Sequence, residues 1–194
     1  MSKRKPRVGI IAEDRSDIEC VRALIFRITN DNKIGVDGMA KNGCTMLVRK
    51  CGHWAVNLHE KGCNLLIVIH DSDGKDPRAI HNRIELALHA CPIVKKIITI
   101  PVEEIEAWLL ADPNAIKKGI NLDKIPKINR NVEQISSPKE FLEDIIDKTS
   151  NREKIYINSK HNAMIARNID IEKIKEKCPS FLPFLKFVQE NTVS

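Results

Sequence analysis

The sequence predicts an α/β fold: a mostly parallel sheet flanked by helices, with a C-terminal helical extension. The segment Leu65–Ile69 is a run of five aliphatic side chains, which is typical of a strand buried on both faces. Over the first ~110 residues such runs alternate with segments of helical period, and right-handed crossovers place helices on both faces of the sheet. The pattern changes at Asp112. We therefore expect an α/β core over residues 1–112 and a helical extension over 113–194, packed on it as one globular unit.

The composition limits the classes of partner. Only eight of the 194 residues are aromatic, so leucine, isoleucine and valine must supply most of the core. A formal charge of +6 is compatible with a nucleic-acid partner and equally with simple solubility. No stretch approaches the ~18 consecutive apolar residues of a membrane span, and the basic N-terminus has no signal-peptide core. We expect a cytoplasmic protein without a membrane partner.

The first half of the chain is predicted to alternate strands and helices. Arg7–Ala12 reads as a strand, followed by a helix capped by Asp14 or Ser16. A second strand is expected over residues 33–40 and a turn over 41–44. Two helical pieces follow, over 46–51 and 54–61, separated by Gly52. After Leu65–Ile69, Pro77 opens a helix and residues 95–101 form another strand.

The second half is predicted to be helical. A helix opening with acids is expected after Ile100, and there Glu103 and Glu106 would share a face. Further helices are expected over 114–118, 140–148, 171–177 and 181–189. Residues 156–162 read as a polar patch between structured pieces.

Acidic side chains follow the predicted strands at their C-terminal ends. Asp71 and Asp73 are two residues apart, a spacing that in an extended segment places both carboxylates on one face. Glu13 follows the first strand, and the carboxyl ends of parallel strands form the binding edge of such sheets. Neighbouring carboxylates repel unless a cation neutralises them, so this edge is a candidate site for Mg²⁺ or Mn²⁺. The alternative is a solvated Asp-Ser-Asp-Gly turn.

Three further residues are candidates to complete the site. Asp17, in the first helical turn, either binds the metal or only caps the helix. Glu106 either joins the acids or is a solvated carboxylate at a helix start. Lys160, in the polar patch, either stabilises charge on a phosphate or is a solvated lysine. His70 and His161 are further candidates for that role, and the alternative for His70 is a structural histidine at the end of the strand.

The cysteines have no repeating spacing. Cys44, Cys51, His53 and Cys63 are zinc-ligand types, but their gaps match no CxxC knuckle. Free thiols are the simpler expectation in a reducing cytosol.

The ordered set Glu13, Asp17 and Asp71-Ser72-Asp73 resembles the Toprim domains of topoisomerases, bacterial primases and nucleases of the overcoming-lysogenization-defect type. One departure is Asp14, where the Toprim pattern has glycine after the glutamate. With Ile105–Asp112 and Ser159-Lys160, the chain from Arg7 to Phe187 is similar to a family of small Toprim-like proteins associated with bacterial mobile elements and anti-phage systems. The resemblance implies Glu13, Asp71 and Asp73 as metal-binding acids, with Glu106 and Lys160 as further members of the site.

These observations favour a Mg²⁺-dependent nuclease that cleaves a phosphodiester bond in DNA or RNA and is active alone or as a homo-oligomer. Glu13 would bind the metal or act as general base. A second hypothesis is a subunit of a defence complex that is inactive without an ATPase partner. A third is an aspartyl-phosphate phosphatase using Asp71, which the late position of the pair and the following Gly74 disfavour.

Overall fold

The protein is described by a computed structural model over residues 6–40 and 44–192, the side chains of 44 and 45 excepted. The predicted N-terminal lead-in (1–5) and most of the predicted turn (41–43) lie outside these residues. Four strands of the described part pair in parallel, in the spatial order β2-β1-β3-β4. They are β1 (Arg7–Ala12), β2 (Gly35–Ala40), β3 (Leu65–Ile69) and β4 (Lys95–Thr99). The predicted α/β fold with a parallel sheet is confirmed.

Nine α-helices follow or connect the strands in the described ranges. They are α1 (Arg15–Thr29), α2 (Cys44–Glu60), α3 (Pro77–Ala87), α4 (Glu106–Leu110), α5 (Pro113–Ile120), α6 (Pro138–Thr149), α7 (Asn158–Ala166), α8 (Ile171–Lys177) and α9 (Leu182–Thr192).

The two faces of the sheet bury different sets of helices. In β3, Leu65, Ile67 and Ile69 face a cluster that contains α1 and the helices after residue 105. The alternate side chains Leu66 and Val68 face a second cluster formed with α2 and α3. All five are buried, which is what a strand covered on both sides requires. The C-terminal helices thus cover the sheet face on which α1 lies; the predicted boundary at residue 112 stays a prediction.

Two predicted elements are wrong in extent. The helical pieces on either side of Gly52 are one continuous helix, α2. A Cβ on Gly52 would lie 2.6 Å from the carbonyl oxygen of Ala87, so this glycine serves the close approach of α3 and not a break. The helix expected after Ile100 begins only at Glu106, because Glu103 has a left-handed backbone (φ 60°). Glu103 and Glu106 therefore do not share a helical face.

The predicted polar patch is largely a helix. Residues 158–166 form α7, which packs against α1 and α5. His161 and Asn162 are buried there, although both are polar. Their polarity concealed the helix from a reading based on apolar periodicity.

Candidate functional site

The turn after β3 does not present its two carboxylates on one face. β3 ends at Ile69, and Asp73 has a left-handed backbone (φ 47°). Asp71 is partly buried and accepts the N–H of Ile105 at 3.1 Å. Asp73 is exposed, with its carboxylate 3.5 Å from Lys75 Nζ. The predicted shared face is wrong because the strand stops before the pair begins.

The turn after β3, over residues 70–74, is called the acidic turn, and a second loop, over residues 101–105, holds it in place. The N–H of Glu103 donates to Ser72 Oγ at 2.8 Å, and the N–H of Asp73 donates to the carbonyl oxygen of Glu103 at 3.2 Å. With the bond from Ile105 to Asp71, the loop after β4 and the turn after β3 are joined at both ends. These three hydrogen bonds hold this corner of the sheet edge together.

Acids from three other segments lie near Asp71. Burial raises the pKa of Asp71 well above its usual range, and the charges of Asp17, Glu106 and Glu13 raise it further. Burial also raises the pKa of Asp17 to about 8, with added contributions from Asp14, Glu106 and Glu13. The acids after β1, on α1, after β3 and on α4 are therefore close enough to repel one another. We call Glu13, Asp17, Asp71 and Glu106 the acidic cluster.

Asp17 also caps its own helix. Asp14 accepts the N–H groups of Ser16 and Asp17, while Asp17 accepts the N–H of Asp14 at 3.2 Å, which completes a capping box. The capping interpretation is confirmed, and a direct chemical role for Asp17 stays a prediction.

Glu13 lies beside a buried histidine. His70 Nδ1 is 2.6 Å from the carbonyl oxygen of Asp71 and 3.2 Å from Glu13 Oε1. A carbonyl oxygen can only accept, so Nδ1 carries the proton and donates it there. Glu13 Oε1 is left buried without a hydrogen-bond donor in the described part of the chain. Burial raises the pKa of Glu13; the charge of Asp73 raises it further and that of His70 opposes the rise.

Glu106 is held by two residues that the sequence reading missed. Its Oε1 accepts from Asn162 Nδ2 at 2.9 Å and from the Tyr156 hydroxyl at 3.2 Å. Tyr156 also contacts the side-chain oxygen of Asn162. All three are buried, with Asn162 at 0% and Glu106 at 4% exposure. Without the packing of α7 on α1, nothing in the sequence connects this tyrosine and asparagine with Glu106.

Lys160 forms no ion pair with the acidic cluster in the described part of the chain. It is exposed on α7 and makes no salt bridge with an acid among residues 6–40 and 44–192. Burial and the charge of Lys160 lower the pKa of His161, and His161 Nδ1 accepts the N–H of Ile157 at 2.9 Å. His161 is therefore disfavoured in the charged form that neutralising a phosphate would require.

The acidic cluster fits a divalent metal in its donor chemistry. Carboxylate oxygens are the ligands that Mg²⁺ prefers, and the orphaned Glu13 Oε1 together with the mutual repulsion around Asp71 would be relieved by a cation. In the described ranges, however, no three His, Cys, Asp or Glu side chains are already arranged to hold a metal ion. The described cysteines, among them Cys51 and Cys63, are free thiols.

A family model described as a domain of unknown function (DUF4276) matches residues 49–189, which is more than half of the chain. The chain belongs to the DUF4276 family. No curated protein and no solved structure matches it. In this DUF4276 chain the matched segment contains Asp71, Asp73, Glu106 and Lys160, whereas Glu13 and Asp17 precede it. None of the described helices is long and apolar enough to cross a membrane.

Proposed function

We propose that this DUF4276 protein is a metal-dependent nuclease that hydrolyses a phosphodiester bond, in the bacterial anti-phage or mobile-element setting that the Toprim resemblance implies. The observation that carries the proposal is that Glu13 and Asp71 follow the paired parallel strands β1 and β3 at the same edge of the sheet. The raised pKa of Asp71, caused by burial and by the charges of Asp17, Glu106 and Glu13, supports it. Withdrawing four acids from water, one fully and three partly, is costly. Acids with raised pKa values at the carboxyl edge of a parallel sheet support a ligand site there, because such sheets bind ligands at that edge.

Glu13, Asp71 and Asp17 would hold the metal, with Asp73 at the exposed side of the turn. When bound, Mg²⁺ or Mn²⁺ would polarise the phosphate and lower the pKa of a coordinated water. Glu13, if it is not a ligand, accepts the proton of the attacking water, a role suited to a carboxyl group with a raised pKa. Asn162 and Tyr156 bind one oxygen of Glu106 and so hold its carboxylate in position, with the other oxygen left for a ligand. Lys160, on the exposed side of α7, would meet the phosphate of a bound substrate.

The test is cleavage of labelled DNA and RNA with Mg²⁺ or Mn²⁺. We expect the wild type to cleave one of them and the double variant Asp71→Asn with Asp73→Asn to lose at least about a thousandfold in rate, a typical loss when transition-state stabilisation is removed. A matched control replaces Asp144 and Asp147 of α6, both substantially exposed, by asparagine. Full activity in the Asp71/Asp73 variant, or no cleavage by the wild type, rejects the nuclease.

A second candidate is a subunit that works only with an ATPase partner. It is favoured by the exposed side of α7, where Lys160 and Met164 share one helical side, and by the exposed Ile157 directly before that helix. Co-purification with a neighbouring gene product, and cleavage only in its presence, would support this candidate. Cleavage by the isolated chain at an undiminished rate would exclude it.

A further inference from the structure

A groove between α3 and the edge strand β4 lies outside the acidic cluster. Its volume is 380 Å³, within the range of about 300–1,000 Å³ that is usual for binding pockets. It is lined by Pro77, Arg78, His81, Asn82, Ile98 and Ile100.

The groove begins at the acidic turn. Its helical wall starts at Pro77, four residues after Asp73, and its strand wall ends at Ile100, directly before the loop over residues 101–105. That turn and that loop are hydrogen-bonded to each other through Ser72 and Glu103. A chain lying in the groove would therefore lead to the acids.

The two walls offer different chemistry. Arg78 and His81 are three residues apart on α3, so they share one side, and both are exposed. Opposite them, Ile98 and Ile100 are only partly buried. Lys96 alternates with Ile98 along β4 and so belongs to the same face of the strand. Arg78 and Lys96 thus bring positive charge to the groove, and none of the residues that line it is acidic.

We propose that this groove binds a single strand of nucleic acid, with Arg78 and His81 on a phosphate and a base against Ile98 and Ile100. The inference rests on the nuclease proposed above and names its substrate class. The guanidinium of Arg78 and a ring N–H of His81 can donate hydrogen bonds to a phosphate, and the apolar surface of Ile98 and Ile100 can contact the face of a base. A duplex does not satisfy both, because its base faces are already stacked on their neighbours.

The test measures binding without catalysis. Labelled single-stranded DNA and RNA of about 12 nucleotides, within the usual site sizes, are titrated in EDTA and followed by fluorescence anisotropy. We expect Arg78→Gln to weaken binding about tenfold and to reduce the slope of log K against log[salt] by about 0.7. Arg83→Gln is the matched control: the same charge on the same helix, exposed but outside the groove. It should change the affinity less than about twofold.

A second variant separates base contact from charge. Ile98→Thr keeps a β-branched side chain but removes apolar surface, so we expect about threefold weaker binding with an unchanged salt slope. Thermal unfolding of each variant checks that the fold is retained.

The outcomes separate this inference from the nuclease itself. If binding depends on Arg78 and Ile98 but the protein cleaves no nucleic acid, the groove is supported as a binding site and the proposed nuclease activity is rejected. Cleavage lost in the Asp71/Asp73 variant, with binding indifferent to Arg78, would overturn the groove. Equal losses for Arg78→Gln and Arg83→Gln, equal binding of duplex, or equally strong displacement by polyglutamate would also overturn it, because each indicates nonspecific charge attraction.

Discussion

The carboxylate of Asp17 stabilises the N-terminus of α1 and repels the other acids around Asp71. It completes the capping box of α1, yet it is also one of the acids that surround Asp71. Its pKa of about 8, against about 4 in an unfolded chain, means that the folded state holds its proton more tightly. The stability that this gives is fully present below about pH 4 and is lost as the pH rises through about 8.

Asp17→Asn should therefore change stability in a pH-dependent way. Asparagine keeps an oxygen for the N–H of Asp14 but has no charge, so in EDTA the variant should gain on the order of 2 kcal/mol over the wild type at about pH 9. At about pH 5 we expect little difference. The measurement is urea unfolding at both pH values. A gain that is the same at both, or that is larger at low pH, would contradict the assignment.

The cluster of Glu106, Tyr156 and Asn162 gives a second prediction at this scale. Asn162→Leu removes the closer of the two donors to a buried carboxylate, and we expect a loss of about 2–4 kcal/mol in the free energy of unfolding. Tyr156→Phe removes only a hydroxyl and should cost about 1–2 kcal/mol. Asn129→Leu, at an exposed position, is the control and should stay within about 0.5 kcal/mol. Equal values for Asn162 and Asn129 would show that the cluster is not an energetic unit.

At the scale of elements, one aspartate joins three segments. Asp112 caps α5 by accepting the N–H of Asn114 at 3.1 Å, and it also accepts the N–H of Asp170 at 3.0 Å. Its other partner is Lys173 of α8, at 2.7 Å. Burial disfavours the charge of Asp112, but these donors outweigh burial and lower its pKa below the usual value.

Asp112→Ala should cost about 3 kcal/mol, because it removes a helix cap and leaves the partners of a buried carboxylate unpaired. Chemical denaturation measures the loss, and Asp123→Ala, an exposed aspartate in the next loop, is the control. Since the pKa of Asp112 is lowered, its contribution should persist above about pH 4 and disappear only as the pH falls below that value. A loss smaller than about 1 kcal/mol at neutral pH would mean that α8 does not depend on this anchor.

The bounds of an element could be predicted from the sequence where the residues of that element alone determine them. The bounds of β1 and β3 were predicted as the structure has them, because each is an apolar run bounded by polar residues. Gly52 was predicted to separate two helices, because the close approach of α3 that explains this glycine arises from tertiary packing. The helix α7 was missed because His161 and Asn162 are polar yet buried. At the candidate site, Glu13 and Asp71 were predicted from their positions at strand ends, and Asp17 and Glu106 from their positions in helices that follow strands. The partners of Glu106 could not be predicted, because they depend on the packing of α7.

At the scale of the whole molecule, two tryptophans report on opposite faces of the sheet. Trp54 lies in the cluster of α2 and α3, and Trp108 lies in the other, packed edge-on against Phe181 with ring centroids 5.0 Å apart. Because Phe181 belongs to the C-terminal segment, Trp108 also senses whether that segment is docked. The chain has only these two tryptophans.

Trp54→Phe and Trp108→Phe each leave one fluorescent probe. If the core and the helical extension form one cooperative unit, both variants should unfold with a single transition whose midpoint agrees with the one measured by circular dichroism on the same variant. The comparison is made within each variant, so that a change in stability caused by the substitution cancels. A fluorescence midpoint for Trp108 that precedes the circular dichroism midpoint would show that the C-terminal helices detach first.

The contact between α1 and α7 has a consequence for synthesis. α1 (Arg15–Thr29) packs against α7 (Asn158–Ala166), and Arg27 donates to the carbonyl oxygen of Ile169 at 3.0 Å, across 142 positions of chain. During synthesis on the ribosome, the surface of α1 that packs against α7 therefore remains uncovered until most of the polypeptide has been made. Such long-range closure slows folding and exposes the nascent chain to aggregation. Products that terminate before residue 158 would keep α1 uncovered and should depend on chaperones to remain in solution.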